Sequence, residues 1–98
     1  MATAESKEGK GSPKGIGAPA AMRHAAAQLA EMLQCEPDSV SALKRTDDGW
    51  SADVEVVEIQ RVPDTASVMA SYRVHLDEWG ELVGFERTRR YARGQIDR

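Results

Sequence analysis

The strongest constraint on this chain is a strict alternation. Val68, Ala70, Tyr72, Val74 and Leu76 are apolar, and Ser71, Arg73, His75 and Asp77 fall between them. A period of two sends successive side chains to opposite faces, which predicts a β-strand with one buried and one polar face. Such a strand needs neighbours to be stable. The run Trp50, Ala52, Val54, Val56 alternates in the same way against Asp53 and Glu55, then changes phase at Val57 and Ile59. That phase change predicts a bulge, or a strand end covered on both sides. Two turn signals punctuate the pattern, Thr46-Asp47-Asp48-Gly49 and Asp77-Glu78-Trp79-Gly80. Each supplies an Asp that can cap a turn and a Gly that can take positive φ, the combination that closes hairpins. Strands are therefore predicted over 40–45 (short and weak), 50–60, 67–77 and 81–92. Pro63 is excluded from a central ladder, which leaves 61–66 as a connection.

Upstream, Met22, Ala25, Ala26, Leu29, Met32 and Leu33 recur at helical spacing, with Arg23, His24, Gln28, Glu31 and Gln34 mostly opposite. This predicts a helix over 18–35. Pro19 suits its first turn, and Glu36-Pro37 ends it because the residue before a proline is pushed out of the α region. An alanine-rich stripe lets the helix lie close on a sheet. The predicted fold class is α+β: one N-terminal helix packed on a three- or four-stranded antiparallel meander sheet. Residues 1–17 are dominated by Gly, Ser, Lys and Glu and are expected to form a disordered N-terminal arm, leaving 18–98 as a single α+β domain. The chain is 98 residues long and 41% apolar, but 14 of its residues are alanine. The core must therefore be one thin layer.

Composition excludes several kinds of function. A net charge of −3 argues against a cationic protein that coats nucleic acid, and five aromatic residues are too few for a base-stacking sheet. No apolar run approaches a membrane span or a signal-peptide core, so a cytoplasmic protein is expected. Cys35 is the sole cysteine and can form neither an internal disulfide nor a Cys-based zinc site. His24 and His75 have no flanking motif, and the acidic turns lack the spacing of a calcium loop. Gly9, Gly11, Gly15 and Gly17 precede no strand–helix unit that would cradle phosphate. No catalytic residue, cofactor or metal is expected.

The last strand is different. Segment 81–93 holds four of the nine arginines, and Arg87, Arg89, Arg90, Tyr91 and Arg93 are the candidate partner-binding residues. Arg and Tyr combine apolar contact area with directed hydrogen bonds and are enriched at interface hot spots. If the strand alternates throughout, Val83, Phe85, Arg87, Arg89 and Tyr91 share a face. A three-residue loop at 78–80 would place Leu82 beside Leu76. A two- or four-residue loop would instead align Val83 and Phe85 with Leu76 and Val74, and this second register is the expected one because it adds Phe85 to a core poor in aromatics. Charge is segregated along the chain: residues 49–80 carry two basic and six acidic side chains, and 81–98 carry five and three. In a meander these segments are neighbours, so cross-strand pairs are expected between Arg73 and Asp53, Glu55 or Glu86.

One resemblance covers residues 49–93. Gly49-Trp50, Val54-Glu55-Val56-Val57-Glu58, Arg61-Val62-Pro63-Asp64-Thr65 and Ser71-Tyr72-Arg73-Val74 with Leu76-Asp77 appear in an order and spacing similar to the gas vesicle protein O (GvpO) family. The match continues in Gly80-Glu81-Leu82, Arg87 and Arg89-Arg90-Tyr91-Ala92-Arg93, and it departs from the family's pattern at Arg73, where an acidic residue is expected. The resemblance implies a non-enzymatic accessory protein of gas vesicle formation. Its partners would be other gas vesicle proteins, with the structural wall protein a candidate, in the cytoplasm or on the vesicle. Strand addition at an exposed sheet edge is one physical route to such contacts. A stand-alone PepSY-like binding or inhibitory module would give the same pattern of elements, and a transcriptional regulator of the gas vesicle cluster is the third option.

Overall fold

The computed structural model describes residues 15–95. Helix α1 (Ala18–Leu33) leads into β1 (Glu36–Thr46) and β2 (Gly49–Ile59). A 3-10 turn at Asp64–Ala66 connects these to β3 (Val68–Asp77) and β4 (Leu82–Ala92). The strands lie in the order β1-β2-β3-β4 with every neighbouring pair antiparallel, which is a complete four-stranded meander. The fold is thus the expected helix on a sheet.

The two alternating runs meet as predicted. Trp50 pairs with Leu76, Ala52 with Val74, Val54 with Tyr72 and Val56 with Ala70, so paired residues share the helix side of the sheet. Val54, Val56, Ala70 and Val74 are fully buried there beneath Ala21, Ala25 and Leu29 of α1. The helix stripe is turned by one position from the periodicity reading, because Ala21 and Ala25 permit the closest approach. Met22 and Met32 consequently lie exposed, at 39% and 59%. Phase is lost at Glu58, which is bulged between the Val57–Met69 and Ile59–Val68 pairs.

Helix α1 crosses the sheet diagonally. Just before it the Ile16 N–H donates to Glu78 O at 2.9 Å, and in its second half the Gln28 amide donates to Gly80 O. Gln28 Oε1 in turn accepts the Leu82 N–H at 3.0 Å, and His24 Nδ1 lies 3.1 Å from the same Gly80 carbonyl. At its end Gln34 turns left-handed (φ 59°), Cys35 packs on the core, and the chain enters β1 on the opposite sheet edge. The expected disordered arm lies outside the described residues over 1–14. Gly15 and Ile16 sit against the β3–β4 turn.

Two boundaries differ from expectation: α1 ends at Leu33 rather than at residue 35, and β1 starts early. Strand β1 begins at Glu36 rather than near residue 40, with Pro37 inside it. An outer strand tolerates a missing donor, and shifts of register after Pro37 and Val40 absorb the irregularity. The two turn glycines also serve different ends. Gly80 has φ +87°, whereas Gly49 does not enter the left-handed region; a Cβ there would collide with Leu76 O. Replacing Leu29 by Ala is expected to lower stability by about 3 kcal/mol, because the rigid layer cannot collapse into the hole. Urea unfolding would show this as a lower midpoint at unchanged slope, with exposed Met32→Ala shifting by less than about 0.5 kcal/mol.

Candidate functional site

Strand β4 is an edge strand, paired on one side only with β3. The β3–β4 connection is the three-residue loop 78–80: Leu82 lies opposite Leu76, and the Asp77 N–H donates to Glu81 O at 2.9 Å. A shift of register at Val83 then brings Phe85 opposite Val74. The favoured register is therefore corrected: the loop is the three-residue one, Leu82 rather than Val83 faces Leu76, and only the Phe85–Val74 pairing of the other alignment forms, by way of the bulge. A second shift at Thr88 pairs Tyr72 with Arg87 but Ser71 with Arg89.

These two bulges divide the candidate residues between faces, so the single face 83-85-87-89-91 does not form. Leu82, Phe85, Arg87 and Arg90 lie on the helix side, opposite Leu76, Val74, Tyr72 and Ala70. Glu86, Arg89 and Tyr91 lie on the other face, opposite Arg73, Ser71 and Met69. Phe85 stays outside the buried cluster, 36% exposed, because α1 has already veered toward β1. Its ring stands 6.0 Å from that of Tyr72.

Glu58 organises the helix-side charges. Its Oε1 lies 2.8 Å from Arg90 Nε and its Oε2 lies 3.3 Å from Arg87 Nη1. Burial alone would raise the Glu58 pKa, but bonds to Arg90 and Arg87 outweigh it and hold the carboxyl below its ordinary value. Burial and the Glu58 charge together raise the neighbouring Tyr72 phenol.

Glu55 organises the opposite face and touches all three other strands. Ser41 of β1 donates to its Oε2 at 2.7 Å, and Ser71 of β3 to its Oε1 at 2.5 Å. Tyr91 of β4 donates to Oε1 at 2.7 Å. Burial pushes the Glu55 pKa up, yet the three hydroxyls and the Arg89 charge prevail and depress it. Tyr91, with Arg89 stacked 4.4 Å over its ring, is pushed up to about 12 by burial and by the Glu55 bond. The expected Arg73–Asp53 pair forms beside this network at 2.9 Å.

Arg93 belongs to neither face. Its Nη2 lies 3.4 Å from Asp38 Oδ1, and its Nε lies 3.2 Å from Asp64 Oδ2, off the hydrogen-bond line. Its N–H donates to Ser67 O at 2.8 Å. It clasps the start of β1 and the 61–67 connection to the end of β4. Glu58, Asp38 and Asp64, which receive Arg87, Arg90 and Arg93, are not marked out by any sequence pattern. Alternation does put Glu55 on the Ser71 and Arg73 face, but its convergence with Tyr91 depends on the bulges.

Among the described residues no three His, Cys, Asp or Glu side chains gather as a metal site, and no helix is long and apolar enough to cross a membrane. What the fold and this network define is a small helix-on-meander protein whose distinctive surface is a charged outer strand. The model of the gas vesicle synthesis protein GvpO family matches residues 4–97. The chain belongs to that family. It is 57% identical over 77 residues to gas vesicle protein O of a Streptomyces species, covering 79% of this chain and 60% of the relative. It is 35% identical over 66 residues to gas vesicle protein O1 of Halobacterium salinarum, covering 67% of this chain and 56% of the relative. It is also 36% identical over 67 residues to gas vesicle protein O of Haloferax mediterranei, covering 67% and 48%. The chain thus spans less than two thirds of the length of these relatives. No solved structure matches it.

The depressed Glu55 pKa has a signed consequence. The folded carboxyl binds its proton less tightly than the unfolded one, so its contribution is present above the ordinary value of 4.5 and lost as pH falls through the folded pKa. Glu55→Gln is expected to lower stability at neutral pH by about 1–2 kcal/mol. It is also expected to flatten the acid limb of a stability–pH curve; parallel limbs in the two proteins would rule out this role.

Proposed function

We propose that this chain is a non-catalytic accessory of gas vesicle formation that works by contacting other gas vesicle proteins through the side chains of β4. The observation that carries this reading is the position of β4: the strand has one neighbour, and residues 85–90 all lie exposed on it. Membership of the gas vesicle synthesis family supplies the process. The bulges at Val83 and Thr88 refine the contact. They interrupt the outer row of main-chain groups, and a bulged, charged edge resists another strand. Docking through Arg and Tyr side chains therefore fits β4 better than strand addition does. A place in the cytoplasm or on the vesicle accords with such contacts, and the structural wall protein is a candidate partner.

Arg87→Gln, Arg89→Gln and Arg90→Gln combined remove the charge while leaving the Arg93 clasp intact. In a host that depends on this protein for vesicles, the triple variant is expected to cut vesicle yield by about tenfold. It is also expected to lose co-purification with the other gas vesicle proteins. Arg23→Gln on the exposed side of α1 is expected to change neither. Normal yield and co-purification in a folded triple variant would overturn the reading.

A further inference from the structure

Two exposed surfaces of this molecule complement each other. The first is the wedge of sheet that α1 leaves open over β3 and β4. Its floor is the Tyr72–Phe85 ring pair, and its rim is Arg87 and Arg90, whose side chains are 47% and 50% exposed. These two guanidiniums share one carboxylate, Glu58, so the rim keeps a positive charge in excess. The second is the β3–β4 turn, where Trp79 is 55% exposed. Asp77 Oδ1 fixes that turn by accepting the N–H groups of both Trp79 and Glu81 at 2.9 Å. The carboxylates beside the indole, Glu78 and Glu81, have no ion pair among the described residues.

We propose that the wedge of one copy receives the β3–β4 turn of a second copy, with Trp79 laid on Tyr72 and Phe85 and with Glu78 and Glu81 facing Arg87 and Arg90. A large aromatic anchor ringed by charge pairs is the usual make-up of an interface hot spot. The turn is held at one end of its own sheet, so a copy cannot fill its own wedge. The contact is heterologous: copies add head to tail, leaving a free turn at one end of the row and a free wedge at the other. The chain's own N-terminal arm is the poorer occupant, since Lys7, Lys10 and Lys14 would meet the same arginines. This inference goes beyond the docking reading; both use Arg87 and Arg90, but Trp79→Ser on the purified full chain tests self-association alone and leaves the β4 arginines in place.

The measurement is sedimentation equilibrium over a concentration series. The average mass is expected to rise above the 10.7 kDa monomer with concentration and to fall back with added salt. Trp79→Ser leaves the Asp77 cap and the Glu58 pairs in place, and it should weaken association by about tenfold or more. Glu78→Arg with Glu81→Arg, and Arg87→Glu with Arg90→Glu, should each abolish association when alone. Mixed in equal amounts, these two charge variants should form a complex again, because each retains the native surface the other lacks. Monomer at every concentration overturns the proposal. So does association that Trp79→Ser leaves unchanged, or a mixture of the charge variants that stays monomeric while both are folded by circular dichroism.

Discussion

A single helix is too narrow for this sheet, and most of the architecture follows from that mismatch. A helix with its side chains is about 10 Å across, while four strands at about 4.8 Å spacing span roughly 15 Å between their outer axes. Lying diagonally, α1 touches all four strands but covers none along its whole length. Where it lies closest, the sheet presents Ala52, Val54, Val56, Ala70 and Val74, small or β-branched residues that let the helix backbone approach. Where it has passed on, Tyr72 and Phe85 remain half-covered, and the polar ends of Glu58, Arg87 and Arg90 reach water.

The opposite face has no helix and is held differently. Glu55 gathers hydroxyls from three strands around one carboxylate, and a charged acceptor receiving several partly buried donors is worth more than the same number of exposed ion pairs. Exposed pairs such as Arg73–Asp53 add little each, on the order of 0–1 kcal/mol. Met69 is buried on this side, beside Val57 and Tyr91, and forms no part of the helix-side core. A sheet with few large apolar residues thus holds one face by packing and the other by polar convergence.

The legible part of the fold was that carried by periodicity and by turn chemistry. Alternation in 50–56 and 68–76 placed the central pair of strands, and Asp77 with Gly80 placed the turn between β3 and β4, although its three-residue length and register were not legible. The phase change at Val57 and Ile59 pointed to the bulge at Glu58. Three features escaped because their causes are tertiary. Strand β1 reaches back to Glu36 because β2 offers it a partner, whereas its own alternation is poor and Pro37 argues against it. The bulges at Val83 and Thr88 fall on residues with no bulge signature, and the one at Thr88 alone parts Arg87 from Arg89 and Tyr91 and puts it on the face of Arg90. Exposure of Phe85 depends on the angle of the helix, which no local pattern encodes.

The Gln28 contacts have a consequence for how the protein is made. The side chain that holds α1 in place bonds to Gly80 and Leu82, residues that leave the ribosome long after the helix does. Until then the stripe of Ala21, Ala25 and Leu29 has only a partial surface to rest on, because the sheet is built outward from β1 and β4 comes last. Translation therefore delivers the lid of this domain before its box, and the apolar stripe of the helix waits for β4 to emerge.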